Sequence, residues 1–459
     1  MTTSFASLEL NASLLSNLAS LDYQVMTPIQ AKSLPHILAG QDVIAQGKTG
    51  SGKTAAFGLG LLNKLNVKRF SIQALVLCPT RELADQVAKE IRRLGRAIDN
   101  IKVLTLCGGM PMGPQINSLE HGAHIVVGTP GRIEEHLAKG TLKLNAVDTL
   151  VLDEADRMLD MGFQPSLDAI VELIPAKRQT LLFSATFPER IQLIAQRVMV
   201  EPTVIQVEST HDSSTIDERF YQVDESERLT ALQLLLLKHR PDCAVVFCNT
   251  KKECQEVTTA LDDKGFSVAA LHGDLEQKDR DKTLVRFASK SVSVLVATDV
   301  AARGLDIDAL DAVINLHVPR DLEIYIHRIG RTGRAGSHGL ACTLFSDKER
   351  HKLAKLEAYL ERTIDTTALP PLNLINHPTY KPPMVTLQID GGKKQKVRAG
   401  DILGALTGED GIDGKAVGKI QIYDNWAYVA VRRDDAAQAL RKLGHDKMKG
   451  RNFRVRLLN

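Results

Sequence analysis

The chain has 459 residues, of which 44% are apolar and 25% charged, as is typical of a soluble globular protein with about three domains. Its six cysteines are scattered without CxxC pairs, which argues against a disulfide framework or a zinc site and indicates reduced thiols of a cytoplasmic protein. The sequence has neither a long apolar run nor a basic, apolar leader, so it predicts no membrane span and no signal peptide.

Charge is unevenly distributed along the chain. The net charge is +3, but the segment from Lys381 to Asn459 holds 16 Lys and Arg against 9 Asp and Glu. A basic terminal segment on a slightly acidic body predicts a polyanionic partner for that segment. A basic surface that is merely solvated is the alternative.

The first predicted helix covers Leu14 to Leu21 and leads into the segment from Tyr23 to Gln30. An aromatic ring can stack on a nucleobase, and a glutamine can form paired hydrogen bonds with adenine. The plain alternatives are a packing role for Tyr23 and a surface helix position for Gln30.

A glycine-rich segment follows the apolar run from Asp42 to Ala45 and precedes a helix-compatible segment. It matches the pattern G-x-x-x-x-G-K-T with Gly47, Lys48, Thr49, Gly50, Ser51, Gly52, Lys53 and Thr54. Such a loop turns tightly and points its N–H groups at phosphate oxygens. We predict that Lys53 reaches the β- and γ-phosphates of ATP and that Thr54 ligates Mg²⁺. A glycine-rich turn without a ligand is the alternative.

Buried strands then alternate with helices. Predicted strands at 74–78, 102–106 and 125–127 each end in hydroxyl, glycine or arginine residues, at the edge of a parallel sheet where ligands lie. The residues suited to gripping a sugar-phosphate chain are Thr80, Arg81, Gly109, Thr129 and Arg132. Helix capping is the alternative for each.

A further strand ends in two adjacent acids, Asp153 and Glu154. Acids at a strand tip suit the second half of an NTPase site, in which Asp153 holds Mg²⁺ and Glu154 polarises an attacking water. The strand at 180–183 ends in Ser184-Ala185-Thr186, whose hydroxyls we predict to hydrogen-bond Asp156 and relay the nucleotide state. Capping of the helix after Pro188 is the alternative.

A polar stretch at 208–214 predicts an interdomain linker, after which strands and helices alternate again without a phosphate loop. Arg331 and Arg334 are three apart and share a helix face if the helix continues. Paired guanidiniums suit a γ-phosphate, as arginine fingers supplied by a different domain. A solvated basic face is the alternative.

The C-terminal segment follows a Pro-rich stretch that predicts a second linker. Its order of strand, helix, two strands, helix and strand predicts a ferredoxin-like, RRM-like α+β domain. Trp426 and Tyr428 share one strand face, where bases can stack unless another element covers them. The first strand has no aromatic residue, so the basic stretches 393–398 and 447–456 are the alternative RNA contacts.

Together these motifs resemble the DEAD-box RNA helicase family from about Phe5 to the mid-360s. The resemblance implies an α/β fold of two tandem RecA-like domains with parallel sheets, which close on ATP and single-stranded RNA and separate strands locally. The implied division is 1–208 and 216–366 for the two domains, 209–215 and 367–383 for the linkers, and 384–459 for the RRM-like domain.

The resemblance also assigns roles to individual residues. Glu154 resembles the water-activating base, and Arg331 and Arg334 resemble the arginine fingers. Asp306 resembles the ribose contact, and Gly304 is implied to bind ATP. The residues implied to couple the domains are Asp156, Ser184, Thr186 and His327. The residues implied to contact RNA in the helicase core are Pro79, Thr80, Arg81, Gly109, Thr129, Gly131, Arg132, Asn249, Gln277, Arg280 and Thr298.

A helicase core followed by a compact basic domain is similar to the DbpA-type branch of this family. That similarity implies a monomeric protein whose tail binds a hairpin of 23S ribosomal RNA and which acts on pre-50S ribosomal particles. The sequence leaves three alternatives open: a nucleotide-switched RNA clamp or chaperone, a helicase with a different RNA target, and a DNA translocase on the same two-domain plan.

Overall fold

The computed structural model describes residues 4–47, 50–207, 216–302, 310–319, 321–333 and 338–458. They form two compact units, the first built on one sheet and the second on two. In these ranges no helix combines the length and apolarity that a bilayer crossing needs.

The first unit is a parallel sheet with helices on both faces. Its strands are β1 (Val43–Gln46), β2 (Ala74–Leu77), β3 (Val103–Leu106), β4 (Ile125–Gly128), β5 (Thr149–Asp153), β6 (Gln179–Ser184) and β7 (Thr203–Gln206). Its helices are α1 (Ala12–Ser20), α2 (Pro28–Leu38), α3 (Lys53–Lys64), α4 (Arg81–Leu94), α5 (Met112–Glu120), α6 (Pro130–Ala138), α7 (Ala155–Asp160), α8 (Gln164–Glu172) and α9 (Glu189–Val198). Adjacent strand residues such as Leu75 and Val76 enter opposite hydrophobic clusters, so apolar runs are buried on both faces.

The strand order of the first sheet places the predicted motifs side by side. The order is β3-β4-β2-β5-β6-β1-β7, with every pairing parallel. The glycine-rich loop follows β1, Ser184 ends β6 and Asp153 ends β5, so these three segments share one edge of the sheet. The segments that follow β2, β4 and β3 continue along the same edge.

The second unit begins with another parallel sheet, in the order β10-β11-β9-β12-β13-β8. Its strands are β8 (Ile216–Gln222), β9 (Ala244–Cys248), β10 (Val268–Leu271), β11 (Val294–Thr298), β12 (Ala312–Asn315) and β13 (Gly339–Phe345). Its helices are α10 (Arg228–His239), α11 (Lys251–Asp263), α12 (Gln277–Ala288), α13 (Asp299–Ala302), α14 (Leu322–Ile329) and α15 (Arg350–Leu360).

The C-terminal domain has the predicted element order. It consists of β14 (Met384–Ile389), α16 (Ala399–Thr407), β15 (Val417–Ile422), β16 (Ala427–Arg432), α17 (Ala436–His445) and β17 (Val455–Leu458). The sheet is antiparallel in the order β15-β16-β14-β17. Val385, Leu387 and Ile389 face the core beneath α16 and α17.

The Pro-rich stretch before this domain packs on the second sheet's domain. Leu369 and Leu374 join its hydrophobic cluster. The Thr379 hydroxyl and the Lys381 ammonium donate to the Gly265 carbonyl at 2.7 and 2.6 Å, and the Tyr380 hydroxyl donates to Asp242. This segment packs on the surface of the preceding domain because it has apolar residues between its prolines, and these residues bury their side chains against that domain. The predicted linker 209–215 falls outside the described residues.

The outer face of the C-terminal sheet is buried along its two central strands, β14 and β16. Thr386, Gln388, Tyr428 and Ala430, the covered sheet face, are at most 2% exposed. The Thr386 and Ser291 hydroxyls hydrogen-bond at 2.7 Å, which joins this face to the segment just after α12. The C-terminal sheet therefore uses its outer face to dock on the preceding domain.

Candidate functional site

The glycine-rich loop is built around Lys53, the first residue of α3. Lys53 is 6% exposed, and its ammonium donates to the Gly47 carbonyl at 2.6 Å. Gly50 and Gly52 have φ of 84° and 93°, a left-handed conformation that favours glycine. A Cβ on Gly52 would lie 2.5 Å from Gln30 Nε2, so the loop requires glycine there. These features fit a phosphate-binding loop in which a buried ammonium is held among backbone groups.

Gln30 and Tyr23 lie beside this loop. The Gln30 amide donates to the Gly52 carbonyl at 3.1 Å, and its oxygen accepts from the Thr27 backbone N–H at 2.9 Å. Gln30 is therefore buried and linked to the loop, so the alternative of a surface helix position does not hold. The Tyr23 hydroxyl donates to Glu90 at 2.9 Å and the Arg93 guanidinium lies 5.4 Å from its ring centre. Burial, together with Glu90, raises the pKa of Tyr23 to about 12.

The acids at the end of β5 are buried. Asp153 is 2% and Glu154 3% exposed. Burial raises the pKa of Asp153 to about 7; the charge of Lys53 opposes this rise and that of Glu154 adds to it. A cation at the Asp153 carboxylate would favour its charged form, and a carboxylate oxygen is a ligand of the kind that Mg²⁺ takes.

Glu154 has an unusual backbone and a strong ion pair. Its φ of 51° and ψ of 53° are left-handed, at the start of α7. Arg157 Nη1 lies 2.5 Å from Glu154 Oε2, and both side chains are buried. The spacing of three residues in the first helical turn allows this contact, but Arg157 was not among the predicted site residues.

Asp156 is held by the segment that ends β6, as predicted. The Thr186 backbone N–H and hydroxyl both donate to Asp156 Oδ2 at 3.0 Å, and the Asp156 N–H donates to the Ser184 hydroxyl at 3.4 Å. Burial disfavours the Asp156 charge, but Arg157, Lys53 and Thr186 outweigh it and keep its pKa below the ordinary value. Pro188 occupies the start of α9 without a side-chain cap, so the capping alternative does not hold.

The residues predicted to grip a sugar-phosphate chain follow β2, β3 and β4, neighbours in the sheet. Arg132 Nη1 donates to the Met110 carbonyl at 2.9 Å, and Thr129 Oγ1 accepts from the Gly108 N–H at 3.4 Å. Both side chains thereby hold the turn at Gly109, whose φ is 73°. The arrangement presents a glycine backbone beside hydroxyl and guanidinium groups.

The other four residues of the first unit that were predicted to contact RNA have simpler surroundings. Thr80 caps α4 by accepting from the Leu83 N–H at 3.3 Å, so the capping alternative holds for it. Pro79 is buried directly before it, and Gly131 is exposed in the first turn of α6. Arg81 Nε lies 3.9 Å from Asp85 Oδ2 within α4.

In the second unit, four residues predicted to contact RNA lie at or near strand ends. The Asn249 N–H, after β9, donates to Glu253 at 3.0 Å, and Thr298 is the last residue of the neighbouring β11. Gln277 starts α12 and donates to Asp281 at 2.8 Å, while Arg280 Nη2 donates to the Ala301 carbonyl at 2.8 Å. Arg280 therefore ties α12 to the segment after β11.

The helix does not continue to Arg331, so the condition for a helix face shared with Arg334 is not met. Helix α14 ends at Ile329, and Gly330 and Arg331 continue as a turn. Arg331 is 8% exposed, and His327 lies in the last turn of α14. The predicted site residues outside the described ranges are Lys48, Thr49, Gly304, Asp306 and Arg334.

Arg328 is a structural arginine that the sequence reading missed. Its guanidinium binds the Asp299 carboxylate at 2.6 and 2.8 Å and the Asn315 side chain at 3.1 Å, and stacks 5.0 Å from the centre of the Phe247 ring. It thus joins α14 to the ends of β9, β11 and β12. The available signal was Asp299, an acid directly after a buried strand, because a partly buried carboxylate needs a cationic partner.

Tyr428 does not present its ring for base stacking, contrary to the prediction. It lies in the covered sheet face, where burial raises its pKa above the ordinary value. The ring packs edge-on against Tyr423, with centres 5.6 Å apart. Trp426 is partly buried, and its role in RNA binding stays a prediction.

Replacing Tyr428 with alanine should therefore affect stability more than RNA binding. Loss of a buried aromatic side chain is expected to lower the free energy of unfolding by about 3 kcal/mol, measured by urea denaturation. Tyr359→Ala, an exposed aromatic of α15, is the matched control. A stacking role would give the opposite pattern, with unchanged stability and at least roughly fivefold weaker RNA binding.

Comparison with family models accounts for most of the chain. A DEAD/DEAH box helicase domain matches residues 27–194, a helicase conserved C-terminal domain matches 226–336, and a DbpA RNA binding domain matches 386–457. Each of the three sheets thus corresponds to one matched domain.

Individual relatives agree. The chain is 54% identical to the ATP-dependent RNA helicase DbpA of Escherichia coli over 97% of both chains. It is 44% identical to the DEAD-box ATP-dependent RNA helicase CshA of Bacillus anthracis, over 81% of this chain and 70% of that one. The fold resembles S. cerevisiae Dbp5 bound to RNA and ADP BeF3, with 31% identity, a TM-score of 0.72, and coverage of 80% and 95%.

The chain therefore belongs to the DEAD-box family of ATP-dependent RNA helicases, and its parallel sheets are the two RecA-like domains of an RNA-dependent ATPase. Within that family it belongs to the DbpA type, because it carries the DbpA RNA-binding domain and matches the E. coli protein almost from end to end.

Proposed function

We propose that the C-terminal domain directs this helicase to a hairpin of 23S ribosomal RNA, and that it acts on pre-50S particles in large-subunit assembly. The supporting observation is a concentrated basic surface on that domain. Because the outer face of the two central strands is covered, bases cannot stack there, and the basic stretches at 393–398 and 447–456 replace that face as the proposed contact.

These two stretches meet at the start of α16. The Lys449 ammonium lies 3.5 Å from the Asp401 carboxylate, and the Arg398 backbone N–H donates to the same carboxylate at 2.8 Å. The exposed cations of this basic surface are Lys393, Lys394, Lys396, Arg398, Lys447, Lys449 and Arg451. Cations at this density favour phosphate contacts and make binding depend on salt.

Changing Lys393 and Lys394 to glutamate tests the basic surface. We expect a higher concentration of a 23S hairpin fragment for half-maximal ATPase stimulation, and a slope of log affinity against log salt that is shallower by about 1.5. Lys355→Glu, an exposed lysine of α15, is the matched control and should behave like the wild type. Equal stimulation of the wild type by unrelated hairpins of the same length would refute the targeting and leave the helicase activity standing.

We further propose roles for the residues of the first unit. Lys53 binds the terminal phosphates of ATP, and Asp153 with Thr54 would hold Mg²⁺, which supplies charge neutralisation at the phosphates. Glu154 accepts a proton from the attacking water, whose oxygen bonds to the γ-phosphorus as the bond to the ADP oxygen breaks. The buried acids and the buried ammonium support this assignment.

Coupling and location are also proposed. The hydrogen bonds between Asp156 and Thr186 support a relay from the nucleotide to the segment after β6.

All six cysteines are free and buried, which supports a cytoplasmic location. We propose a monomer, because one chain holds both helicase domains and the RNA-binding domain.

A further inference from the structure

The geometry around the Glu154 carboxylate points to Arg157 as a residue that sets its position. Arg157 Nη1 lies 2.5 Å from Glu154 Oε2, and the Arg157 N–H donates to the Glu154 carbonyl at 3.0 Å. The Arg157 N–H also donates to Asp156 Oδ1 at 2.9 Å. One residue thus contacts two acids of the Asp-Glu-Ala-Asp segment, through its side chain and its backbone.

The surroundings make this contact more consequential than a surface ion pair. The Arg157 and Glu154 side chains are only 4% and 5% exposed, so water screens their attraction little. Glu154 also has a left-handed backbone, which non-glycine residues adopt only when the surroundings hold them there. A charge-assisted hydrogen bond to a planar guanidinium restricts the orientation of a carboxylate.

We propose that Arg157 is a positioning residue for ATP hydrolysis, holding the Glu154 carboxylate in the orientation from which it accepts the proton of the attacking water. This inference rests on the proposed role of Glu154. A base that is displaced by about 1 Å loses on the order of 100-fold in rate even when its chemistry is unchanged.

The test is a double-mutant cycle on the full-length protein, with ATP turnover measured at saturating RNA. Arg157→Met is expected to lower kcat by about 10- to 100-fold while the KM for ATP stays within about twofold. Arg157→Lys keeps the positive charge but lacks the planar, forked guanidinium. Its kcat should therefore lie between those of the wild type and Arg157→Met. Arg197→Met removes the exposed pair with Asp168 at 3.2 Å in the same unit and is the matched control.

The decisive comparison is Glu154→Gln with Glu154→Gln/Arg157→Met. If Arg157 acts through Glu154, the double variant is no slower than Glu154→Gln, because no base remains to be positioned. This pair also removes both buried charges together, so it stays informative if Arg157→Met alone folds poorly. Thermal unfolding of every variant identifies folding losses.

The outcomes distinguish the proposed role of Glu154 as the base from the proposed role of Arg157 as the residue that positions it. Wild-type turnover by Glu154→Gln would refute the proposed base, whatever Arg157 does. Slow turnover by Glu154→Gln with wild-type turnover by Arg157→Met would refute the positioning role alone. An Arg157→Met loss that multiplies with that of Glu154→Gln, or that appears only as a raised KM, would show a merely structural arginine and overturn the inference.

Discussion

Replacing Lys53 with alanine is expected to lower ATP turnover by at least about 100-fold, the effect of removing one charged donor from a preorganised site. The ammonium is buried at the start of α3 and bonded to the Gly47 carbonyl, so it lies among the backbone groups that would surround the phosphates. The second effect is electrostatic. The charge of Lys53 opposes the raised pKa of Asp153, so its loss raises that pKa further and leaves less of the ionised acid at neutral pH.

The measurement is steady-state ATP hydrolysis at saturating RNA, with binding of an ATP analogue measured separately. Lys64→Ala is the matched control: Lys64 ends the same helix, and its ammonium pairs with Asp148 at 3.4 Å on the surface. That control should keep nearly all activity. Turnover of Lys53→Ala within a few-fold of the wild type would contradict the assignment of the phosphate loop.

The sequence predicted most of the first unit's site because strand ends carry its chemistry. Apolar runs locate the strands, and the residues directly after them must lie at one edge of a parallel sheet. That logic placed the glycine-rich loop, Asp153 and Ser184 at strand ends, and the strand order of the structure makes those three strands neighbours. The hydrogen bonds between Asp156 and Thr186 followed from the same argument.

What the sequence did not reveal depends on packing between distant segments. Alternation in β16 correctly put Tyr428 on the outward face of its sheet, but nothing local indicates that the domain around Ser291 covers that face. The same limit applies to the Pro-rich stretch before β14, whose leucines were a usable sign of packing. By contrast, the pair of Glu154 and Arg157 is local, and its spacing of three residues could have been read directly.

The end of α14 decides the condition that was placed on Arg331. A face shared with Arg334 required the helix to continue through Gly330, but glycine weakens a helix and commonly ends one. The helix stops at Ile329, so Arg331 is placed by a turn. Its proposed function does not need a helix face, since a guanidinium acts on phosphate through charge and hydrogen bonds wherever the backbone delivers it.

We propose that hydrolysis of one ATP depends on residues of both units: Lys53 and Glu154 of the first and Arg331 of the second. Arginine fingers contribute about 1,000- to 100,000-fold to phosphoryl transfer, because they stabilise charge that develops in the transition state. Arg331→Ala is therefore expected to be as damaging as Lys53→Ala, although it changes a different domain. Arg350→Ala, which removes a surface pair with Asp347 at 2.9 Å, is the matched control and should have little effect.

The most direct test is single-turnover ATP hydrolysis by Arg331→Ala at saturating RNA, alongside equilibrium binding of an ATP analogue. We predict that hydrolysis falls by at least about 1,000-fold while analogue binding changes little. Hydrolysis at the wild-type rate would show that Arg331 is not required and would contradict its proposed part in a site shared by both units.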